Sequence, residues 1–416
     1  MPPEVYYAVR DQCQEALRGL FKTVTTPIEG PAKTDHGDVD VLVAEERNAD
    51  TADWHGLLDA IKTALGAEHA IYRPAGTSSH FVVPWPTDIS DIPTSSPVDR
   101  QRYIQVDVRI CTTTTYLRWV EFRHAHGDLW STLGYSLRPV GLTADDEALW
   151  LRVPEIEASE RLRARIRLTD DPAEVLSFLG MDPERYWKGP FDSVADMFEY
   201  VASYRWFCVH ADDSENGAET RRQDEVDGET VPTLRSRDRR RLLSRPVFCA
   251  WLESFLPACR ATGRFVRPRE GPASHTADDH QYALLLRDHV RDEAFSRFGP
   301  EVAADYSARL KDWTLQRQRD DMWRQVIQDG IPDADSLDPQ YRGCLISALK
   351  KIVLAGDSEL GIVPDRPLQD DGIYDIDLVM EFVQSKWELV GKAAWERQLA
   401  RARENMTRKA QAGAKK

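Results

Sequence analysis

The chain has 416 residues, 42% hydrophobic and 30% charged, with a formal net charge of −15. That length suits two or three domains with genuine cores. The acidic balance excludes a general attraction to nucleic acid or anionic membrane, so any nucleic-acid contact needs a local basic patch. No apolar run reaches membrane-spanning length, and residues 1–10 lack an apolar signal core. Cys13, Cys111, Cys208, Cys249, Cys259 and Cys344 are scattered without a Cys-x-x-Cys pair. That pattern argues against a zinc module or a disulfide scaffold, and for reduced thiols in an intracellular, cytoplasmic protein.

In chain order, residues 3–21 carry Val5, Val9, Cys13, Leu17 and Leu20 at helical spacing and predict an amphipathic helix. Residues 26–37 are rich in turn formers, with Pro27, Gly30, Pro31 and Gly37. Val39, Val41, Leu42 and Val43 then predict a strand. Residues 51–65 place Trp54, Leu57, Leu58, Ile61 and Leu65 on one helical face. A second strand is expected at 80–84 and a loop at 87–99. Across 103–111, Tyr103, Gln105, Asp107 and Arg109 alternate with Ile104, Val106, Val108 and Ile110. That period of two predicts a strand with one face in a core and the other presenting Asp107 and Arg109.

From about Tyr116 the segments read as helices, among them 155–166, 171–179 and 194–207, with Asp170-Asp171-Pro172 as a helix start. Residues 211–241 are acidic, then basic, and poor in apolar side chains, which predicts a flexible insertion. Helix resumes over 245–256, a loop follows at 263–280, and long charged helices cover 281–297, 302–328 and 376–406. The order predicts an α+β protein. A small mixed sheet with packed helices occupies 1–145, a helical domain with the insertion near 211–241 covers 146–330, and a C-terminal helical extension runs over 331–416.

On a strand, Asp38 and Asp40 point to one face while Val39 and Val41 point to the other. If the strand holding Asp107 is a neighbour, three carboxylates converge. Three close anions repel each other, and burial raises their pKa values. A divalent cation removes the conflict. Mg²⁺, or Mn²⁺ in its place, suits a few carboxylates completed by waters and substrate phosphates. A pair of such ions can activate an attacking oxygen and stabilise a leaving pyrophosphate. Asp40 would then bridge two ions, Asp38 would share them, and Asp107 would help deprotonate the incoming hydroxyl.

Other residues have competing readings. The second Asp-x-Asp, Asp375-Ile376-Asp377, reads as a helix cap. Arg109, on the Asp107 face, suits a triphosphate contact or neutralisation of the acids. Lys33 suits a phosphate contact or a solvated loop position, and His36 a structural place in the turn. Ser78, Ser79 and His80 lack the third partner of a nucleophilic triad. His124, His126 and Asp128 have ligand-compatible spacing but read better as a polar helix start that organises a junction. The arginines from Arg235 to Arg245 suit a nucleic-acid backbone or pairing with the adjoining acidic segment.

The run from Gly30-Pro31-Ala32-Lys33-Thr34 through His36-Gly37-Asp38-Val39-Asp40-Val41, with Gln105-Val106-Asp107-Val108 later, resembles the polymerase-beta-like nucleotidyltransferase superfamily. Members share a Gly-Ser turn, a short spacer, a hydrophobic-flanked Asp-x-Asp and a third acid on a later strand. More narrowly, the chain resembles uncharacterised fungal, phage and large-virus members. The matching block runs from His126-Gly127-Asp128-Leu129-Trp130 through Leu133-Gly134, Arg138-Pro139, Gly141-Leu142-Thr143 and Asp146. It continues at Phe178-Leu179-Gly180, Tyr186-Trp187, Phe191 and Phe198, so the resemblance spans roughly residues 20–260.

The resemblance implies a nucleotidyltransferase-like fold for the α/β domain. It implies that Asp38, Asp40 and Asp107 are the catalytic acids and hold Mg²⁺ or Mn²⁺. It further implies a nucleotide-binding set of Gly30, Lys33, Thr34, Gly37 and Arg109. A nucleoside triphosphate is the implied donor, with RNA, a small molecule or a protein side chain supplying the acceptor hydroxyl. One position departs from the pattern: Pro31 stands where the superfamily has Ser or Gly, and proline offers phosphate no N–H. Thr34, Lys33 or the Gly37 amide are the substitutes. The alternative is a catalytically degenerate member that binds without turnover.

Overall fold

In a computed structural model, helix α1 (Pro3–Arg18) starts on a proline, whose missing N–H costs nothing in a first turn. Val5, Tyr6, Val9, Cys13 and Leu17 form its buried stripe, as the spacing predicts. The structure describes residues 1–47, 54–86, 102–209, 244–272, 279–322, 329–332, 336–365, 367–370 and 373–413. The expected loop at 87–99 and the expected insertion at 211–241 lie outside the described residues. The chain forms two compact units, Met1–Ala303 and Ala304–Lys416.

After α1 come β1 (Phe21–Thr25), β2 (Asp38–Glu46), α2 (Trp54–Ala64), β3 (His69–Ile71), β4 (Ser78–Pro84) and β5 (Tyr103–Ile110). They build a five-stranded mixed sheet in the order β1-β2-β5-β4-β3. β2 and β5 run parallel, and the other neighbours are antiparallel. On one face Val39, Val41, Val43, Phe81, Ile104, Val106 and Val108 join the stripes of α1 and α2 in a single core. On the other face, α3 (Thr114–His124) covers only part of the sheet. Leu42, Ala44, Cys111, Leu117 and Val120 form a small cluster there. Thr113 starts α3 by accepting a hydrogen bond from the Tyr116 amide. The first residues of β2 emerge beyond that cover.

The chain then forms α4 (Leu129–Leu137), β6 (Leu142–Ala144), β7 (Leu149–Arg152), α5 (Pro154–Glu157), β8 (Arg165–Thr169), α6 (Pro172–Leu179), α7 (Pro183–Trp187) and α8 (Val194–Val201). Strands β6, β7 and β8 make an antiparallel three-stranded sheet. This corrects the expected helix at 155–166, where only the three residues shared with α5 are helical. Leu162, which completes the helical pattern there, is 75% exposed, so no buried stripe rewards a helix. Arg165 to Thr169 instead pairs with β7. Asp171 caps α6 as expected, its side chain accepting from the Ala173 amide. Helix Asp279–Phe298 is tied back when Arg287 joins Arg152 on the buried Glu157 carboxylate.

The second unit is mainly helical. Helices Pro339–Ala355 and Ile376–Gly413 pack together around Leu345, Leu349, Ile352, Val379, Val383 and Val390. Gly391 makes this possible where it meets Tyr341, because a Cβ at that position would overlap the Tyr341 ring and hydroxyl. Asp375 accepts from the Leu378 amide, the cap expected of the second Asp-x-Asp. The architecture is therefore α+β, a small mixed sheet with packed helices followed by a mainly helical region. No helix among the described residues is long and apolar enough to cross a membrane.

Candidate active site

Val39 and Val41 are fully buried, and the period of two turns Asp38 and Asp40 to the opposite, open face of β2. β5 lies beside β2 in parallel register, with Asp38 next to Gln105 and Asp40 next to Asp107. Neighbouring strands are about 4.8 Å apart, so the three acids share one face across one inter-strand gap. Asp107 is held in place. Its Oδ1 accepts from Gln105 Nε2 at 2.8 Å and lies 2.7 Å from Nδ1 of His80, its register partner on β4.

Asp40 is open to solvent at the cleft mouth, yet protein packed around it removes much of its water. That desolvation, then the charges of Asp38, Asp107 and Glu29, push its pKa up to about 6, with Lys33 opposing the shift. A carboxyl both reachable and electrostatically crowded suits a cation, which relieves the repulsion. An all-oxygen donor set also suits a hard divalent ion. No group of three or more His, Cys, Asp or Glu side chains is gathered into a ready cage among the described residues. Mg²⁺ does not require one, because it keeps several waters and adds substrate oxygens.

The loop between β1 and β2 forms one wall of a cleft of about 290 Å³. Glu29, Gly30, Pro31 and Lys33 line it above Asp38 and Asp40, while His124, Gly127, Asp128 and Val247 line the opposite side. The walls touch through backbone. A Cβ on Gly127 would sit 3.4 Å from Gly30 Cα, and the His126 amide donates to the Ile28 carbonyl at 2.7 Å. His126 and Gly127 both adopt a left-handed φ of 61°. Gly127 is the residue that this approach constrains, since a Cβ on Gly30 would make only ordinary contact, 3.8 Å from Gly127 Cα.

His126 is fully buried between Tyr186 and Phe191, with Nε2 2.8 Å from the Tyr186 carbonyl. Burial pulls its pKa down to about 4. It is a neutral structural residue at the junction, as its sequence context suggests. His36 is also structural. It is buried and stacks on Tyr6 with ring centroids 3.9 Å apart. Its Nδ1 is 3.5 Å from Glu29, but the alignment does not make a hydrogen bond. Asp35 pairs with the Met1 ammonium beside it.

Of the residues singled out from sequence, Gly30, Lys33, Asp38 and Asp40 line one cleft, and Asp107 adjoins them through Asp40. Thr34 and Gly37 are exposed and outside its lining. Arg109 is not in the lining either. Two residues beyond Asp107, it lies where α3 covers the sheet, and Nη2 donates to the Tyr116 hydroxyl at 2.7 Å. Lys33 Nζ is 2.8 Å from Glu29 Oε2.

Glu29 escaped the sequence reading, and His80, Asp128 and Arg245 stand out in the sequence but not as parts of this site. Glu29, an additional acid, accepts from Tyr6 and Lys33; it sits in an aperiodic turn that gives no directional signal. His80 required the pairing of β4 with β5. Asp128 and Arg245 form an ion pair at the cleft edge, joining segments 117 residues apart. Arg245 follows the rest of the arginine run, Arg235 to Arg241, which lies outside the described residues. No protein-family model matches the chain, and comparison with curated proteins gives no match.

Proposed function

We propose that the chain transfers a nucleoside monophosphate from a nucleoside triphosphate to an acceptor hydroxyl, using Mg²⁺ or Mn²⁺ held by Asp38, Asp40 and Asp107. The observation that carries this reading is the parallel pairing of β2 and β5, with Asp40 beside Asp107 and Asp38 on the same open face. Bound ions would neutralise phosphate charge and make the hydroxyl easier to deprotonate. The chain's own residues supply the rest. Gln105 and His80 engage Asp107 Oδ1, which leaves Oδ2 to take the acceptor proton. The oxygen then attacks the α-phosphorus, and the bond from that phosphorus to the bridging oxygen breaks to release pyrophosphate. Lys33 and Arg245, paired with Glu29 and Asp128 at rest, are the cations positioned to exchange onto incoming phosphates.

Calorimetry should detect triphosphate binding that requires Mg²⁺ or Mn²⁺. Incubation with labelled triphosphates and total cellular RNA, or with a small-molecule pool, should then label an acceptor. Asp40→Asn should abolish the label, and an unchanged transfer rate in that variant would sink the mechanism.

A second reading, a module that binds without turnover, is favoured by the turn itself. Pro31 has no N–H, and Lys33 is engaged by Glu29. On this reading, the wild-type chain binds triphosphate and labels nothing. If Pro31 alone has weakened the site, Pro31→Ser strengthens binding, measured in the same calorimeter.

A further inference from the structure

The second unit contains a pocket of about 500 Å³ between helices Pro339–Ala355 and Ile376–Gly413. That volume lies in the range of pockets for small organic ligands. Its lining has two characters. Ala348, Ile352, Leu360 and Ala394 supply apolar surface. Lys351, Arg397 and Arg401 bring cationic heads from both helices. Arg397 and Arg401 are four residues apart, so they stand on the same helical face.

The local carboxylates, Asp357 and Glu359, offset only two of these three charges. Glu359 pairs with Arg397. Asp357, also in the lining, accepts the Glu359 amide at 2.8 Å. Lys351 and Arg401 form no ion pair among the described residues. Ser347, Gln340 and Gln398 add hydrogen-bonding groups. Cations and neutral donors beside an aliphatic wall match a ligand with an apolar body and a compact anionic head. Paired arginines with a lysine favour phosphate, which offers several acceptor oxygens at once.

We propose that this pocket is a binding site for a small organic phosphate of mononucleotide size, independent of the acidic cleft and its metal. Lys351 and Arg401 hold the phosphate, Arg397 exchanges part of its bond to Glu359 for it, and the body lies against Ile352 and Leu360.

The test uses the full chain in EDTA, where a metal-dependent cleft is silent. Adenosine monophosphate and ribose 5-phosphate serve as nucleotide and sugar-phosphate probes, inorganic phosphate as the bare head group, and adenosine as the body without it. Titration calorimetry is expected to detect at least one organic phosphate and not adenosine. Arg401→Ala and Lys351→Ala are each expected to weaken it about tenfold, while Asp40→Asn leaves it unchanged. A second readout needs no variant. Cys344 lines the pocket, so bound probe should slow its alkylation by iodoacetamide, with Cys249 as the unaffected internal control. Binding that persists unchanged in both cation variants overturns the proposal. So does an absence of binding and of Cys344 protection by both organic phosphates. Either failure leaves the metal-dependent reading of the cleft standing, because that site is tested separately with Mg²⁺ present.

Discussion

On one face of the five-stranded sheet, Val39, Val41, Val106 and Val108 are at most 2% exposed beneath α1 and α2. One residue along each strand, on the other face, Asp38 and Asp40 line a cleft and Asp107 adjoins them. The same two strands therefore do opposite things at alternate positions. Each buried valine contributes roughly 1.5–3 kcal/mol through loss of apolar surface to water. The acids work the other way, since their mutual repulsion and desolvation oppose the folded state. The buried core and the acidic face are separated by residue parity rather than by domain, so substitutions in β2 and β5 should sort by parity.

The sharpest way to break this comparison is Val106→Asp. A carboxylate in the fully buried face should cost more than about 4 kcal/mol and abolish cooperative unfolding in urea. A folded, cooperative variant would show that the valine face is not the structural one. Next in size is the junction histidine, which belongs to the stabilising side despite its ligand-like chemistry. Its folded pKa of about 4 lies below the ordinary 6.5, so the unfolded chain binds the proton more readily. The stability from neutral His126 is complete above pH 6.5 and is lost as the pH falls towards 4. The total is about 3 kcal/mol, measurable by urea titration across that window. A flat profile that stays flat in His126→Gln would remove the residue from the structural account.

On the acidic face, Asp40→Asn should reduce metal-dependent triphosphate affinity by about a hundredfold. At pH 8 without metal, the same change should raise unfolding free energy by about 0.5–1 kcal/mol, a modest gain because Asp40 is open to solvent. Loss of both binding and stability would place Asp40 on the structural side. The pH dependence sharpens the point further. Asp40 is protonated below about 6, so metal affinity should fall by about tenfold per pH unit there and level off above it. The smallest effect is expected for Arg245→Ala, which should weaken triphosphate binding by about three- to tenfold and leave metal affinity nearly unchanged. Calorimetry with each ligand separates the two.

The comparison also explains what was legible in the sequence. Strand β5 announces itself because one face is buried and the other polar, which writes a period of two into Tyr103–Ile110, and β2 does so through the same alternation over Asp38–Val41 and the Val/Leu run that follows. The acids could be read on one face for the same reason. Short edge strands carry no such signal. β1 follows α1 by a tight turn, so Phe21 reads as the end of the helix, and the three residues of β3 are too few for a pattern. β8 was hidden by Glu160, Arg161 and Leu162, good helix formers that instead form the turn leading into it, while Arg165–Thr169 pairs with β7. Arg109 shares Asp107's parity, yet lies under α3 rather than at the cleft. Parity fixes the face of a side chain, whereas the cover above it depends on an element met later in the chain. Glu29 needed tertiary pairing to become visible, and so did the place of His80 and Arg245 beside the acids.

The order β1-β2-β5-β4-β3 puts the last strand made at the centre of the sheet. During synthesis β1 and β2 can form a hairpin, and so can β3 and β4, but β5 must arrive before the halves become one sheet. Only then does Asp107 meet Asp40. The acidic face is thus a product of long-range closure, with 66 residues between Asp40 and Asp107 along the chain. Such contacts form late and slowly relative to local ones. A nascent chain that ends before β5 carries two of the acids without the third, so the three-acid face does not exist on the ribosome until this small sheet is complete.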